Sequence, residues 1–284
     1  METWVIFTII YALLMGIFEC SKKKAAEKNS IYEVLAIFST IAFMLTALTC
    51  RKVFDLHYLF TIAIFIKSLA IVISWILGLY AIKKMSVSLY GTINLSRIIF
   101  SILMSFILLG ETITITTIIG MIIVILGLML VNMVTNNDEN KETNLKTIII
   151  LLASCFLTAI AGIIDKAILA HITGSQMQFW FVFFLMTLYW VVYVVKDKKK
   201  KLDFKKVKKN YWLIIAAACL IIADKFLFEA NRIPESKVSV MTIIKQLSAI
   251  EMIILGKFMF KEKNIIKKLL CSLLIIFGIV LTII

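Results

Sequence analysis

Ten ionisable side chains stand within apolar stretches: Glu19, Asp165, Asp224, Glu229 and Glu251 on the acidic side, and Lys67, Arg97, Lys166, Lys225 and Lys245 on the basic side. Placing a charge near the centre of a bilayer costs about 3 kcal/mol or more unless it faces a partner or a wet cavity, so this number implies a polar interior. Tyr90, Asn94, Arg97 and Ser101 follow i, i+4, i+7, i+11 spacing and share one helix face. The same positions recur 151 residues later as Met241, Lys245, Ser248 and Met252. Each copy lends one cation to that face, and the pair would hold a carboxylate or phosphate, with Arg97 suited to a bidentate grip. The expected substrate-lining set is Arg97, Lys245, Asn94, Tyr90, Ser101, Ser248, Gln246 and Trp75. Glu19, Asp165, Asp224 and Glu251 form a second set, for proton coupling or a charge network.

Each residue also has a structural reading. Lys225 and Glu229 lie four apart and would pair on one helix. Glu19 and Lys166 sit near run ends and would reach the headgroups. Arg97 and Lys245 would neutralise Asp165, Asp224 or Glu251 in a static network. Trp75, Tyr80, Tyr90 and Trp180 read as packing or interfacial anchors ahead of a substrate box.

The elements that must position these groups follow from composition. Hydrophobic residues make up 62% of 284 positions, with a single proline, and mean hydropathy is +1.01. Apolar runs of about 20 residues match a bilayer core of roughly 30 Å. Ten occur, at 3–20, 31–50, 58–82, 85–109, 112–133, 147–170, 177–195, 211–231, 236–260 and 264–284. Their lengths predict helices, since barrel strands would be about 10 residues of alternating polarity. The first run lacks a basic leader and a small-residue cleavage site, so it reads as a span and not a removed signal.

The net charge of +14 does not point to nucleic acid, because the lysines fall in short loops between runs, where they meet anionic headgroups. Cys20, Cys50, Cys155, Cys219 and Cys271 show no metal spacing, and no cofactor is expected. Only His57 and His171 occur, with no HExxH, GxSxG or Walker pattern, so a membrane-embedded enzyme ranks as the alternative of another class.

The chain reads as two copies of one half. At the 151-residue offset Val87 falls on Val238, Ser88 on Ser239, Glu111 on Glu262 and Gly127 on Gly278. Glu111 and Glu262 are expected at the positive ends of helices 5 and 10, with Gly120, Gly127 and Gly278 allowing close helix packing. A polar linker, 134–146, separates a first half, 1–133, from a second, 147–284. Five helices per half would invert the second copy. The loops after helices 1, 3, 5, 7 and 9 hold most of the Lys and Arg, nine lysines lying between 196 and 210. That bias predicts a cytoplasmic location for those loops and termini on the opposite side.

The Leu109-Gly110-Glu111 turn with Gly120 and Gly127, its echo at Glu262 and Gly278, and the Tyr80-Ala81-Ile82-Lys83-Lys84-Met85-Ser86 junction resemble the drug/metabolite transporter superfamily in its EamA-like branch. Glu229-Ala230-Asn231-Arg232-Ile233-Pro234 is the second-half counterpart of that junction, and Cys271 stands where the pattern has glycine. The resemblance implies an all-α integral membrane protein with ten transmembrane helices in two inverted five-helix repeats. It also implies cytoplasmic termini, against the loop charges. The expected function is secondary transport of a small polar metabolite, an amino acid or similar anionic or zwitterionic solute, by alternating access in the cell membrane. A flippase of a lipid-linked sugar is the alternative within the fold. The expected partners are the small-molecule substrate, the bilayer and a coupling proton, with the chain a monomer or homodimer.

Overall fold

A computed structural model describes residues 2–26, 30–50, 52–84, 93–94, 96–135, 145–196, 210–260 and 265–283, and among them every regular element is an α-helix. The first half contains α1 (Thr3–Ala26), α2 (Ile31–Thr49), α3 (Tyr58–Lys84), α4 (Ser96–Leu109) and α5 (Ile115–Thr135). The second contains α6 (Leu145–Leu169), α7 (Gly174–Lys196), α8 (Trp212–Arg232), α9 (Val238–Ile244), α10 (Leu247–Phe260) and α11 (Ile265–Ile283). Five of them, α1, α2, α3, α6 and α7, are long and apolar enough to cross a membrane. Large apolar side chains such as Leu103, Phe106, Ile122 and Phe277 are exposed, as a lipid-facing surface requires.

The helices pair mainly across the halves. α1 packs on α8, α3 on α6, α2 on α7, α4 on α6, α1 on α10, and α5 on α11. Taking α9 and α10 as one helix, this pairing is unchanged when the halves are exchanged, since α1 with α8 is the counterpart of α6 with α3. Polar contacts support the α3–α6 pair: the Ser154 hydroxyl donates to the Ser74 carbonyl at 2.8 Å, and the Ser74 and Thr158 hydroxyls lie 2.7 Å apart. Two apolar clusters result. One gathers α2, α3 and α7, the other α4, α5, α9 and α11, and α1, α6 and α8 contribute to both. These three helices form the seam.

Two expectations change in detail. The run at 236–260 is not one helix, because it breaks at Lys245 and Gln246 into α9 and α10. There the Gln246 N–H donates to the Ile243 carbonyl at 3.0 Å and the Ser248 N–H to the Lys245 carbonyl at 3.2 Å, the tighter i→i+3 pattern of a mid-helix interruption. Side chains hold the break, Gln246 Nε2 donating to the Thr242 carbonyl at 3.0 Å and Ser248 Oγ to the Lys245 carbonyl at 2.8 Å.

The fifth helix starts at Ile115, so Glu111 lies outside its first turn. Thr114 is the side chain that caps it, accepting the Thr117 N–H at 3.2 Å. Gly110 makes the turn before it at a φ of 65°, a conformation costly for other residues. Of the run at 85–109, residues 93, 94 and 96–109 are described.

α5 and α11 meet backbone to backbone, and a Cβ on Gly278 would lie 2.7 Å from the Gly120 carbonyl oxygen. A Cβ on Gly127 would lie 2.8 Å from Ile275.

Candidate functional site

The charges collect on the seam. Lys67 of α3 meets Asp165 of α6, Nζ to Oδ1 at 2.5 Å, with side chains only 3% and 8% exposed. The Lys67 ammonium also lies over the rings of Phe181 and Phe228, 3.8 and 4.7 Å from their centroids. A carboxylate and two π faces thus enclose the ammonium in place of water. Asp224 of α8 is buried beside this pair, and its Oδ2 has no hydrogen-bond partner among the described residues.

Lys245 stands at the α9–α10 break with its ammonium 5.2 Å from the Tyr11 ring centroid. The charges of Asp165, Arg97, Lys67 and Asp224 all act on it. Arg97 of α4, half-buried, acts also on Tyr11 and on Cys155. Three of the residues picked out by sequence, Lys245, Asp165 and Asp224, are thus within electrostatic reach of one another, and Arg97 reaches the group through Lys245 and Tyr11. They come from α4, α6, α8 and the helix break. A discontinuous helix at such a place frees backbone groups and lets a side chain turn inward, as in carriers whose ion and substrate sites lie at broken helices.

Other expected members sit differently. Glu19 pairs with Lys22 at 2.7 Å one turn along α1, so it faces a local cation and not the Lys67 group. Trp75 stacks on Phe38 and Tyr189 and tilts against Phe18, with the Lys22 ammonium 4.9 Å from its ring, which makes it part of an aromatic wall. Gln246 and Ser248 use their side chains on the helix break. Asn94 accepts a contact from the Cys155 thiol at 3.4 Å, and Ser101 is buried on the inner face of α4. Glu251 of α10 lies against Gly16, where an added Cβ would strike its carboxylate. Tyr90 and Glu262 lie outside the described residues.

At one end of the bundle the polar groups tie elements together. The Glu111 carboxylate accepts the N–H groups of Val238 and Ser239, at 2.5 and 3.1 Å, and the Ser239 hydroxyl at 2.7 Å. Its helix partner is therefore α9 and not α5. Lys166 donates to the carbonyls of Asn231 and Ile233 at 3.1 and 2.7 Å and to Ser236 Oγ at 2.6 Å, so it does not extend to the headgroups. Glu229 pairs with Arg232 at 2.9 Å, not with Lys225.

Two site residues were passed over in the sequence. Lys67 appeared only as one intramembrane charge among ten, although it is the ion-paired centre of the group. Tyr11 carried no signal, because a tyrosine in an apolar run reads as packing until Lys245 is seen above its ring.

A profile of the EamA-like transporter family matches this chain twice, over residues 2–133 and again over 145–284. No curated protein matches the sequence. One solved crystal structure superposes with a TM-score of 0.78 at 11% identity, covering 99% of this chain and 96% of that one, a likeness of fold.

Proposed function

The chain belongs to the EamA-like transporter family, a multi-pass membrane protein of the drug/metabolite transporter type, and from that premise we propose that it is a secondary carrier for a small anionic or zwitterionic metabolite such as an amino acid. In this reading its ten spans form two inverted five-helix repeats, 1–133 and 147–284 joined by 134–146. The halves rock about the seam while α5 and α11 brace them. One observation carries the proposal: Lys245, at a helix break, shares the seam with Arg97, Lys67, Asp165 and Asp224. With all five ionised, three cations face two carboxylates, and the one unmatched positive charge suits a single carboxylate or phosphate ligand. Lys67 is taken up by Asp165 and two rings, so Lys245 and Arg97 remain for the ligand.

The test is uptake into proteoliposomes, with thermal-shift screening of the purified protein against amino acids, nucleotides and sugars. A ligand at about 100 times its Kd stabilises the state it binds by about 2.7 kcal/mol. Arg97→Ala and Lys245→Ala are each expected to lower uptake at least tenfold. Unchanged uptake in both would remove the cationic clamp.

A second reading, flipping of a lipid-linked sugar, draws on one feature. A groove of about 370 Å³, lined by Ile93, Ile99, Ile125, Met129, Ile148 and Leu152 with Ser96, opens between α4, α5 and α6. Its apolar walls suit an acyl or prenyl chain. Flipping of a fluorescent lipid-linked sugar in liposomes, with no solute uptake, would favour this reading over the first.

A further inference from the structure

The two seam carboxylates are not equivalent. Asp165 contacts Lys67 at 2.5 Å, and that ammonium is closed off by Phe181 and Phe228. Asp224 is equally buried, 6% exposed in each case, but its Oδ2 has no hydrogen-bond partner among the described residues. An orphaned carboxylate oxygen in such a place is costly, and a bound proton or a ligand relieves the cost.

The groups facing Asp224 come from every side of the seam. They are Tyr11 from α1, Lys67 from α3, Asp165 from α6 and Lys245 from the break after α9. α2 and α7 also pack on α8. Among the described residues they bring Asp224 no charge; α7 brings Phe181 and Gln178, whose Nε2 donates to the Ile221 carbonyl at 2.6 Å. Glu251 acts on Cys219, nearer the start of α8.

We infer that Asp224 is the proton-coupling residue of the carrier, and that a proton on it strengthens anion binding at Lys245 and Arg97. The inference rests on the transport reading above. Its physical basis is a count of charges. With Asp224 ionised the group carries one net positive charge, and a proton on Asp224 raises this to two, facing the same ligand. The proton and the anion therefore help each other bind, and by linkage the help is reciprocal. Two ligands that favour one another's binding travel together, so the expected mode is proton–anion symport. Glu19 is set aside by its ion pair with Lys22 and Asp165 by its pair with Lys67. Glu251 too has an Oε2 with no hydrogen-bond partner among the described residues, but it lies against Gly16 and is not among the charges that act on Asp224 or Lys245, so a proton on it would not change the charge facing the ligand.

The first measurement needs no substrate. Infrared difference spectra of the purified protein between about pH 5 and about pH 9, a range in which buried carboxyls titrate, report the carbonyl stretch of a protonated carboxyl group. The wild type and Asp224→Glu are expected to show such a band disappearing as pH rises. Asp224→Asn is expected to lose it, and Asp165→Asn to keep it. A wild type without the band, or a band surviving in Asp224→Asn, overturns the assignment.

The second measurement is calorimetric titration with an equimolar mixture of the twenty protein amino acids. Wild-type affinity is expected to fall by up to about tenfold per pH unit as pH rises through the same interval, as one linked proton dictates. Asp224→Asn, permanently neutral, is expected to bind tightly at every pH with that dependence gone. A variant that binds more weakly, or keeps the dependence, overturns the coupling. Should the mixture fail to bind the wild type, the amino-acid reading falls and the infrared band alone decides the proton site.

Discussion

Glu111, in the turn between α4 and α5, caps a helix of the other half through Ser239. Its carboxylate accepts the Ser239 hydroxyl at 2.7 Å and the Ser239 N–H at 3.1 Å, with the Val238 N–H at 2.5 Å completing the set. Three donors converge on one anion at the positive end of α9. The turn of the first half and the broken helix of the second are therefore tied together at this end of the bundle.

Removing the carboxylate leaves those donors without their acceptor. Glu111→Ala is expected to lower unfolding stability by about 2–3 kcal/mol, and Ser239→Ala by about 1 kcal/mol. The double variant should cost less than the two losses combined, since both delete the same bond. Thermal unfolding in detergent measures this, and strict additivity would show that the pair does not interact.

The Lys67–Asp165 pair calls for a different pattern. Lys67→Met leaves a buried carboxylate with no counter-charge and is expected to cost about 3–5 kcal/mol, as is Asp165→Leu with the lysine stranded. Lys67→Met combined with Asp165→Leu should recover much of the loss, because neither charge is then left alone. A double variant as unstable as the two singles together would mean that Phe181, Phe228 and Asp224 hold each partner on their own.

How much of this could be read from the sequence depended on the physical kind of signal. That helices pack closely at Gly120, Gly127 and Gly278 was legible because glycine spacing maps onto a helix face, though not which helix is the partner, and the two-copy organisation was legible because Glu111 and Gly127 recur at one offset. Pairings within the charge set were not. Nothing local tells Asp165 to choose Lys67, 98 residues away, over Lys245, and that choice is made by how α3 packs on α6. Glu111 was placed on the wrong helix for the same reason. A carboxylate just before a helix reads as that helix's own cap, whereas Thr114 already fills that role and Glu111 reaches across the halves.

Backbone contact between α5 and α11 allows little room for a side chain. A Cβ on Gly278 would stand 2.7 Å from the Gly120 carbonyl oxygen and 2.9 Å from the Val124 backbone nitrogen. Neither atom can rotate away, so Gly278→Leu is expected to separate the two helices and to cost about 3 kcal/mol or more. Gly162→Ala serves as the control, because an added Cβ there meets nothing within 4 Å. Size-exclusion profiles and melting temperatures of the two variants should differ sharply, and equal behaviour would deny that the brace is tight.

Lys166 holds the α8–α9 connection from beneath. Its ammonium donates to the Asn231 and Ile233 carbonyls and to Ser236 Oγ, three acceptors within six residues of one loop. Lys166→Met keeps the aliphatic stem and removes all three bonds, while Lys166→Arg keeps a charge whose planar fork does not fit three acceptors set around a point. Both variants are expected to speed amide hydrogen exchange across residues 231–237, by about tenfold for each 1.4 kcal/mol of protection lost. The loop between α2 and α3 supplies the internal reference. It is held independently, by Gln176 Nε2 on the Asp55 carbonyl at 2.5 Å and Trp180 Nε1 on the Val53 carbonyl at 2.9 Å, and should exchange as in the wild type. Faster exchange in both loops would indicate general loosening, and no change in either would show that the α8–α9 connection is held by its own packing.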